Sequence, residues 1–506
     1  MKTFEGTKKP IRPWRLLLVL LIFLGCGCAT LECFKAGFLL GRSKESQEFL
    51  ARLDKAVINT GVKDASTFPV PDFPYLRTNR FLACVAEKIK DDPQKEQVIE
   101  WMRQLNLNAR KKEIQNLPHE AVVALGFVKD GNPDRDGLIK QMEFCSDKLY
   151  TSEKSQPGLY EAFVSRLTIP DEYSVMRRII GFYPGFLIPV IRGTDQIHKK
   201  FKSTYQIEFD DLPILGKLVR FGPASGPPLN KQEIRLLLER SKRNSLGVPW
   251  LTEEVTQKVA SFFAPVIIQD IVADYDKFGE VFWKGDALAI NSEKPAIYYY
   301  LTQALVKDAP VLQINYVIWF PKRNGKNSPW IERGNVDGLT FRVSIDSQGE
   351  PFMVDIMNNC GCYHLFIPKR ESVVQVRAKK FSLDPFVPQW LPSLGPGERF
   401  GIRTMSGWHQ VVRVLAVSPI PGEPGYTLLP YDTLESLSEK NGQWASMFDH
   451  KGVGKGATRP KEEFIFFPMG IPSVGAMRQR GHHAILLVGR AYFDAPDLFE
   501  KNFVFK

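Results

Sequence analysis

The residues best suited to chemistry lie between positions 358 and 366, where the sequence reads Asn-Asn-Cys-Gly-Cys-Tyr-His-Leu-Phe. Cys360, Cys362 and His364 are spaced two residues apart. In an extended strand, residues with this spacing project from one face of the sheet. Two thiols and an imidazole are the sulfur and nitrogen ligands that zinc or another soft transition metal prefers. The segment is therefore a candidate metal site.

A strand of this kind supplies at most three ligands, so a metal site needs a donor from elsewhere in the chain. His482 and His483 precede a strand-like run and are the first candidates, with His409 next. Because side chains alternate along a strand, only one of the two adjacent histidines can face the metal.

The same residues allow three other interpretations. A cysteine could act as a nucleophile with His364 as its base, oriented by Asn358 or Asp355. Cys360 and Cys362 could form a small-loop disulfide, which is redox-active if strained. The segment could also be a turn with a structural role only.

A second candidate site runs from position 132 to 143, Asn-Pro-Asp-Arg-Asp-Gly-Leu-Ile-Lys-Gln-Met-Glu. Asn132, Asp134, Asp136 and Glu143 occupy the first, third, fifth and twelfth positions of a calcium-binding loop, with glycine at the sixth. Asparagine at the first position and lysine at the ninth depart from that pattern. We favour the alternative, an Asp/Gly loop that caps a helix, so calcium ranks after zinc as an expected cofactor.

The N-terminus is typical of a membrane-targeting segment. Four Lys and Arg residues between positions 8 and 15 precede the apolar run 16–25. The small residue before Cys26 predicts lipoprotein cleavage with lipidation of Cys26. Alternatively, residues 14–31 form an uncleaved signal anchor, a transmembrane helix of about the length that spans a bilayer. Both interpretations place the bulk of the chain outside the cytoplasm, which is the periplasmic side of the cell envelope if the cell is Gram-negative.

The net charge bears on the expected binding partners, and the cysteine count bears on the expected disulfides. The formal net charge is +11 without a long basic tract, so we expect no nucleic acid as a partner. The charge either serves solubility alone or favours an anionic envelope polymer or lipid as a partner. Beyond the first 42 residues the cysteines are Cys84, Cys145, Cys360 and Cys362. This even number permits two disulfides in an oxidising compartment, without fixing their pairing.

The pattern of helix and strand signals predicts an α+β protein. A single N-terminal membrane anchor (1–42) is followed by a helical stalk and Pro-rich linker (43–77) and a helical domain (78–225). The Gly/Pro-rich segment 222–228 marks the boundary to an α/β to β-rich domain (226–506). The N-terminal half is thus expected to be helical and the C-terminal half mostly antiparallel β.

One further segment, residues 176–192, is unusually apolar and interrupted by two prolines. Arg177, Arg178 and Arg192 at its ends suit a segment that lies among lipid head groups. Burial in the protein core is the interpretation we favour for it.

Three phrases together resemble an uncharacterised family of proteobacterial membrane-anchored envelope proteins: Asp-Phe-Pro-Tyr-Leu-Arg-Thr-Asn-Arg-Phe-Leu from 72, Tyr-Val-Ile-Trp-Phe-Pro from 316 and Cys-Gly-Cys-Tyr-His from 360. The resemblance implies localisation only. The leading functional hypothesis is a membrane-tethered extracytoplasmic protein with a binding or assembly role. The alternative is a metal- or cysteine-dependent extracytoplasmic enzyme, a hydrolase, centred on Cys360, Cys362 and His364.

Overall fold

The computed structural model describes residues 43–224, 229–379, 382–439 and 442–506. Within these ranges helices and strands form a mixed α+β fold dominated by one large curled sheet, which confirms the predicted class.

The predicted anchor (1–42) and the lipidation candidate Cys26 lie outside the described residues. Within those residues no helix is long and apolar enough to cross a bilayer, and this finding corrects the expectation of a transmembrane helix. The lipoprotein, periplasm and envelope assignments made with it find no support in the structure.

Residues 43–164 pack around one helical core. Their helices are α1 (Lys44–Thr60), α2 (Arg80–Ala86), α3 (Asp92–Asn116), α4 (His119–Ala124), α5 (Arg135–Glu153) and α6 (Leu159–Val164). Two short hairpins complete the unit, β1 (Phe68–Val70) with β2 (Phe73–Thr78) and β3 (Val128–Lys129) with β4 (Asn132–Pro133). The segment expected to be a stalk is helical, but its stripe of Phe49, Leu50, Leu53 and Val57 is buried in this core. An apolar stripe of this kind is stable only against a partner surface.

The remaining helices are α7 (Val175–Ile180), α8 (Tyr183–Gln206), α9 (Lys231–Ser241), α10 (Glu253–Phe263), α11 (Pro460–Phe466) and α12 (Leu498–Asn502). Single 3₁₀ turns occur at Phe209–Asp211, Asp274–Asp276, Arg370–Ser372, Tyr431–Glu435 and Phe467–Met469. Three small pairings lie beside the main sheet, β7 (Glu280–Lys284) with β8 (Ala287–Asn291), β14 (Val373–Val376) with β20 (Phe503–Phe505), and β18 (Leu437–Ser438) with β19 (Trp444–Ala445).

The main sheet has ten strands, β5 (Lys217–Pro223), β6 (Val266–Ile271), β9 (Ala296–Val306), β10 (Ala309–Arg323), β11 (Gly334–Ile345), β12 (Pro351–Asn358), β13 (Leu365–Pro368), β15 (Arg399–Thr404), β16 (Val411–Val417) and β17 (Gly425–Pro430). Their spatial order is β13-β12-β11-β10-β9-β17-β5-β6-β15-β16. The pairs β9–β17, β17–β5 and β6–β15 are parallel, and the other neighbours are antiparallel.

Both faces of the central strands are buried. On β10, Ile314, Tyr316, Ile318 and Phe320 belong to the core inside the curl, whereas Trp319 packs in a second cluster on the other face. This follows from the two-residue alternation of a strand. Helix α10 lies against the inner core, where the Tyr316 hydroxyl donates a hydrogen bond of 2.7 Å to the Ala260 carbonyl.

The two edges of the sheet are bridged by the segment 386–391. Its backbone bonds to β13 through Phe366 N–H to the Phe386 carbonyl and Leu391 N–H to the Pro368 carbonyl, each at 2.9 Å. On the other side, the Gln389 amide exchanges two hydrogen bonds with the backbone of Val414 on β16. The curled sheet is therefore nearly closed on itself.

Candidate functional site

The Cys-Gly-Cys segment is a tight turn. β12 ends at Asn358 and β13 begins at Leu365, so Cys360 and Cys362 lie in the connection. The Asn358 N–H donates to the Cys362 carbonyl at 3.0 Å, and the Gly361 N–H donates to the Asn358 carbonyl at 2.7 Å. This corrects the expectation that the cysteines and His364 share one face of a strand.

Gly361 makes this turn possible. Its φ is +86°, a conformation in which a Cβ atom is strained, and a Cβ there would lie 2.2 Å from the Ala484 carbonyl oxygen. We expect Gly361→Ala to lower the free energy of unfolding by about 2 kcal/mol, because the backbone strain at positive φ adds to the steric clash with the Ala484 carbonyl. Chemical denaturation measures this loss.

The control for this substitution is Gly397→Ala. Gly397 has a φ of +76° with nothing within 4 Å of a Cβ, so it carries the strain without the clash. Equal losses for the two variants would contradict the role given to the close approach at Gly361.

The two cysteines of the turn contact each other through the backbone of one and the sulfur of the other. The Cys362 N–H donates to Cys360 Sγ at 3.4 Å. A hydrogen bond with the Cys360 sulfur, burial, and the carboxylates of Glu462 and Glu332 raise the pKa of Cys362 well above its ordinary value. Cys360 is buried, whereas Cys362 is partly exposed. At neutral pH the reduced turn therefore keeps the Cys362 thiol protonated.

Glu462, at the start of α11, faces this thiol. Its Oε1 lies 3.9 Å from Cys362 Sγ, and its side chain is buried. Burial and the nearby Glu332 raise the pKa of Glu462 to about 7, although Arg323 and Arg459 act in the opposite direction. A carboxyl group with this pKa can both accept and return a proton near neutrality.

A cluster of buried charged side chains, which we call the frame, contacts the turn through Tyr363. Arg323 binds both oxygens of Asp337, at 3.0 and 2.8 Å, and Glu332 at 2.6 Å. The other contacts of Glu332 are the Tyr363 hydroxyl and Trp408 Nε1, the latter at 2.9 Å. Burial alone raises the pKa of Asp337, but Arg323 and His409 together outweigh it and the net pKa is lowered. Asp337 and Arg323 are therefore charged at neutral pH.

His409 belongs to this frame. Its Nδ1 lies 2.7 Å from Asp337 and its Nε2 lies 3.2 Å from Asp276, and its ring stacks on Phe320. Burial lowers the pKa of His409, but the hydrogen bonds with Asp276 and Asp337 outweigh this effect and raise it. Both ring nitrogens thus face carboxylates and neither is presented to the cysteines.

The other predicted ligands are placed apart from the cysteine turn. His364 Nε2 contacts Asp355 at 2.9 Å, and its ring packs against Phe366 and Phe493. Burial lowers the pKa of His364 in spite of this carboxylate. Asp355, one of the two orienting residues that the nucleophile interpretation offered, does contact His364, but within the described residues His364 makes no hydrogen bond to a cysteine.

The adjacent histidines are also otherwise engaged. His482 places Nδ1 2.7 Å from Glu172 and Nε2 2.6 Å from the Ala65 carbonyl. Burial and Arg478 lower the pKa of His483 to about 3. No group of three or more His, Cys, Asp or Glu side chains in the described residues is arranged to hold a metal ion. This corrects the metal-binding interpretation of Cys360, Cys362, His364, His482 and His483.

The segment proposed as a calcium loop folds as a hairpin and a helix start. Asn132 lies in β4, and the Asp134 side chain caps α5 by accepting from the Gly137 N–H at 2.9 Å. Glu143 pairs with Lys111 at 2.8 Å. Asp136 lies in the first turn of the helix, where a negative charge is favourable. The geometry is that of the capping alternative.

Sequence reasoning did not identify Glu462, Glu332 or Arg323 as parts of the site. Glu462 follows the helix-starting Pro460 and resembles an ordinary acidic residue of a first turn. It comes from a segment 100 residues beyond Cys362. Its burial, which a sequence pattern does not reveal, is what distinguishes it.

Comparison with known proteins adds no relative, because no family model, curated protein or solved structure matches this chain. The resemblance to proteobacterial envelope proteins stays a prediction.

Proposed function

We propose that the Cys360-Gly361-Cys362 turn is a redox-active dithiol that exchanges disulfides with thiols of a second molecule. The observation that carries this proposal is the position of both cysteines on one tight turn, where the Cys362 backbone N–H reaches the Cys360 sulfur at 3.4 Å, next to a buried carboxyl whose pKa is raised to about 7. It develops the cysteine-dependent hypothesis. Exchange is favoured over hydrolysis because, in the described residues, His364 makes no hydrogen bond to either cysteine: its Nε2 contacts Asp355 and its ring packs against Phe366 and Phe493.

The reaction begins from the oxidised turn. A substrate thiolate attacks Sγ of Cys362, the residue of the pair that is partly exposed, and the bond between Cys360 and Cys362 breaks. The electron pair leaves with Cys360 as a thiolate. The Cys362 N–H donates to that sulfur. The guanidinium groups of Arg323 and Arg459 interact electrostatically with the same sulfur. These positive groups stabilise the leaving thiolate.

A second substrate thiol then attacks the substrate sulfur of the mixed disulfide. Cys362 is released and takes up a proton from Glu462, whose oxygen lies 3.9 Å away. Solvent protonates Glu462 again, and the Cys360 thiolate takes up the proton that the second substrate thiol releases as it attacks. The substrate dithiol becomes a disulfide and the turn becomes a dithiol, so atoms and electrons balance, and the reverse reaction follows the same steps.

The test is equilibration of the full chain in glutathione buffers of increasing oxidation, followed by alkylation and peptide mapping. We expect a reversible disulfide between Cys360 and Cys362, while Cys84 and Cys145 remain thiols. Oxidation of a dithiol peptide should be lost in Cys362→Ser and retained in Cys84→Ala, a control at a partly buried cysteine of the helical unit. Absence of the 360–362 disulfide at every buffer ratio, or unchanged activity in Cys362→Ser, would overturn the proposal.

A further inference from the structure

The segment 176–192, for which burial was the favoured interpretation, is instead on the surface. Large hydrophobic side chains that are exposed fall on three neighbouring elements, α7, the start of α8, and α11: Val175, Met176, Ile179, Ile180, Phe182, Phe186, Ile188, Phe464 and Ile465. Ile179 is 67% exposed, Phe182 68% and Phe464 85%. Single exposed hydrophobic residues are common, but a contiguous set marks an interaction surface.

These elements are fixed to one another. Arg177 on α7 pairs with Glu463 on α11 at 2.8 Å. Arg178 donates to the carbonyls of Met469 and Gly489, at 2.9 and 2.7 Å. Gly181 lies so close to Pro468 that a Cβ there would be 2.6 Å from its Cα. We name the exposed hydrophobic residues of α7, α8 and α11 the apolar face.

The charges that flank the apolar face are mainly positive. Arg192, Lys200 and Lys202 are exposed on α8, and Lys461 is exposed on α11. In the described part of the chain, Arg192 and Lys202 have no ion-pair partner, and Lys199 is paired with Asp195 at 2.7 Å. Exposed hydrophobic side chains beside unpaired Lys and Arg are complementary to the interface of a bilayer that carries anionic head groups.

We infer that the apolar face docks on an anionic lipid surface, with α7 and α8 lying in the plane of the interface. No helix of the described residues is both long and apolar enough to span a bilayer, and the docking needs no spanning helix. The inference does not rest on the dithiol chemistry, which involves different side chains.

The experiment is hydrogen exchange of the full chain with phosphatidylcholine vesicles that contain or lack phosphatidylglycerol. This method assigns protection to residues 175–191 separately from the first 42 residues. We expect protection of 175–191 and of 464–465 only with vesicles that contain phosphatidylglycerol. No protection of these residues would overturn the inference. Equal protection by both vesicles would overturn the anionic assignment, and protection that rises with protein concentration alone would identify a second copy as the occupant.

The paired variant is Ile179→Glu/Phe186→Glu, and its matched control is Ile58→Glu/Phe144→Glu, at exposed positions of the helical unit. The first should need about tenfold more lipid for half-protection of 175–191, because two large side chains no longer enter the apolar layer. The control should bind as the unaltered protein does. Exchange of β10 without lipid verifies that each variant is folded, and equal lipid dependence of the two variants would overturn the inference.

Discussion

Replacing Arg323 with methionine is expected to lower the free energy of unfolding by about 3–5 kcal/mol, the usual loss when one member of a buried ion pair is removed. Arg323 is 2% exposed and neutralises Asp337 and Glu332, both of which are also buried. Methionine fills much of the same space but leaves two carboxylates without their cation. Chemical denaturation at neutral pH measures the loss.

Two further variants separate this effect from the mere removal of a charge. Arg235→Met removes an exposed arginine that pairs with Glu239 on the surface of α9, and it should cost no more than about 0.5 kcal/mol. In the double variant Arg323→Met/Asp337→Asn, the loss should be smaller than the sum of the single losses, since the two residues neutralise each other. Additive losses would show that Arg323 acts by packing rather than by charge.

The second large effect is a pH dependence that belongs to Glu462. Its pKa is raised from 4.5 to about 7 in the folded protein, so the folded state holds a proton that the unfolded state releases at lower pH. Stability from this group therefore falls as pH rises from 4.5 to about 7 and stays constant above. A shift of this size corresponds to about 3 kcal/mol.

Glu462→Gln should remove this contribution. Relative to the unaltered protein, the variant gains stability as pH rises through this interval, approaching about 3 kcal/mol above pH 7. Denaturation curves at several pH values give the difference. Glu463→Gln, at the next position and paired with Arg177, is the control and should show no comparable gain with pH. A constant difference between Glu462→Gln and the unaltered protein at every pH would contradict the raised pKa.

The sequence allowed the fold class to be predicted because its signals are local. Helical stripes and β-branched runs report periodicity within a few residues, and this was sufficient to place a helical unit before a sheet. The order of the strands was not accessible in the same way. Pairings such as β5 with β17 join segments about 200 residues apart, and such contacts depend on the packing of the whole chain.

The cysteine turn shows which parts of the site could be predicted from its own segment and which could not. Cys360 and Cys362 stood out by type and spacing, and Gly361 between them carried a signal for a turn, because glycine readily adopts a positive φ. Assuming a strand through 364 led to the wrong grouping of His364 with the cysteines. The residue that does face Cys362, Glu462, acquires its raised pKa from burial and from Glu332, and neither cause is a property of its own segment.

The bridge at 386–391 has a consequence for the behaviour of the protein at high concentration. The outermost strands of an open sheet present unpaired N–H and carbonyl groups that can recruit strands from other molecules. Here the backbone of Phe386 and Leu391 occupies part of the β13 edge, and Gln389 occupies part of the β16 edge. The Tyr205 hydroxyl, from α8, covers the Val411 carbonyl on β16 at 2.9 Å. The irregular segment 386–391 thus leaves fewer free N–H and carbonyl groups on the two edge strands for pairing with strands of other molecules.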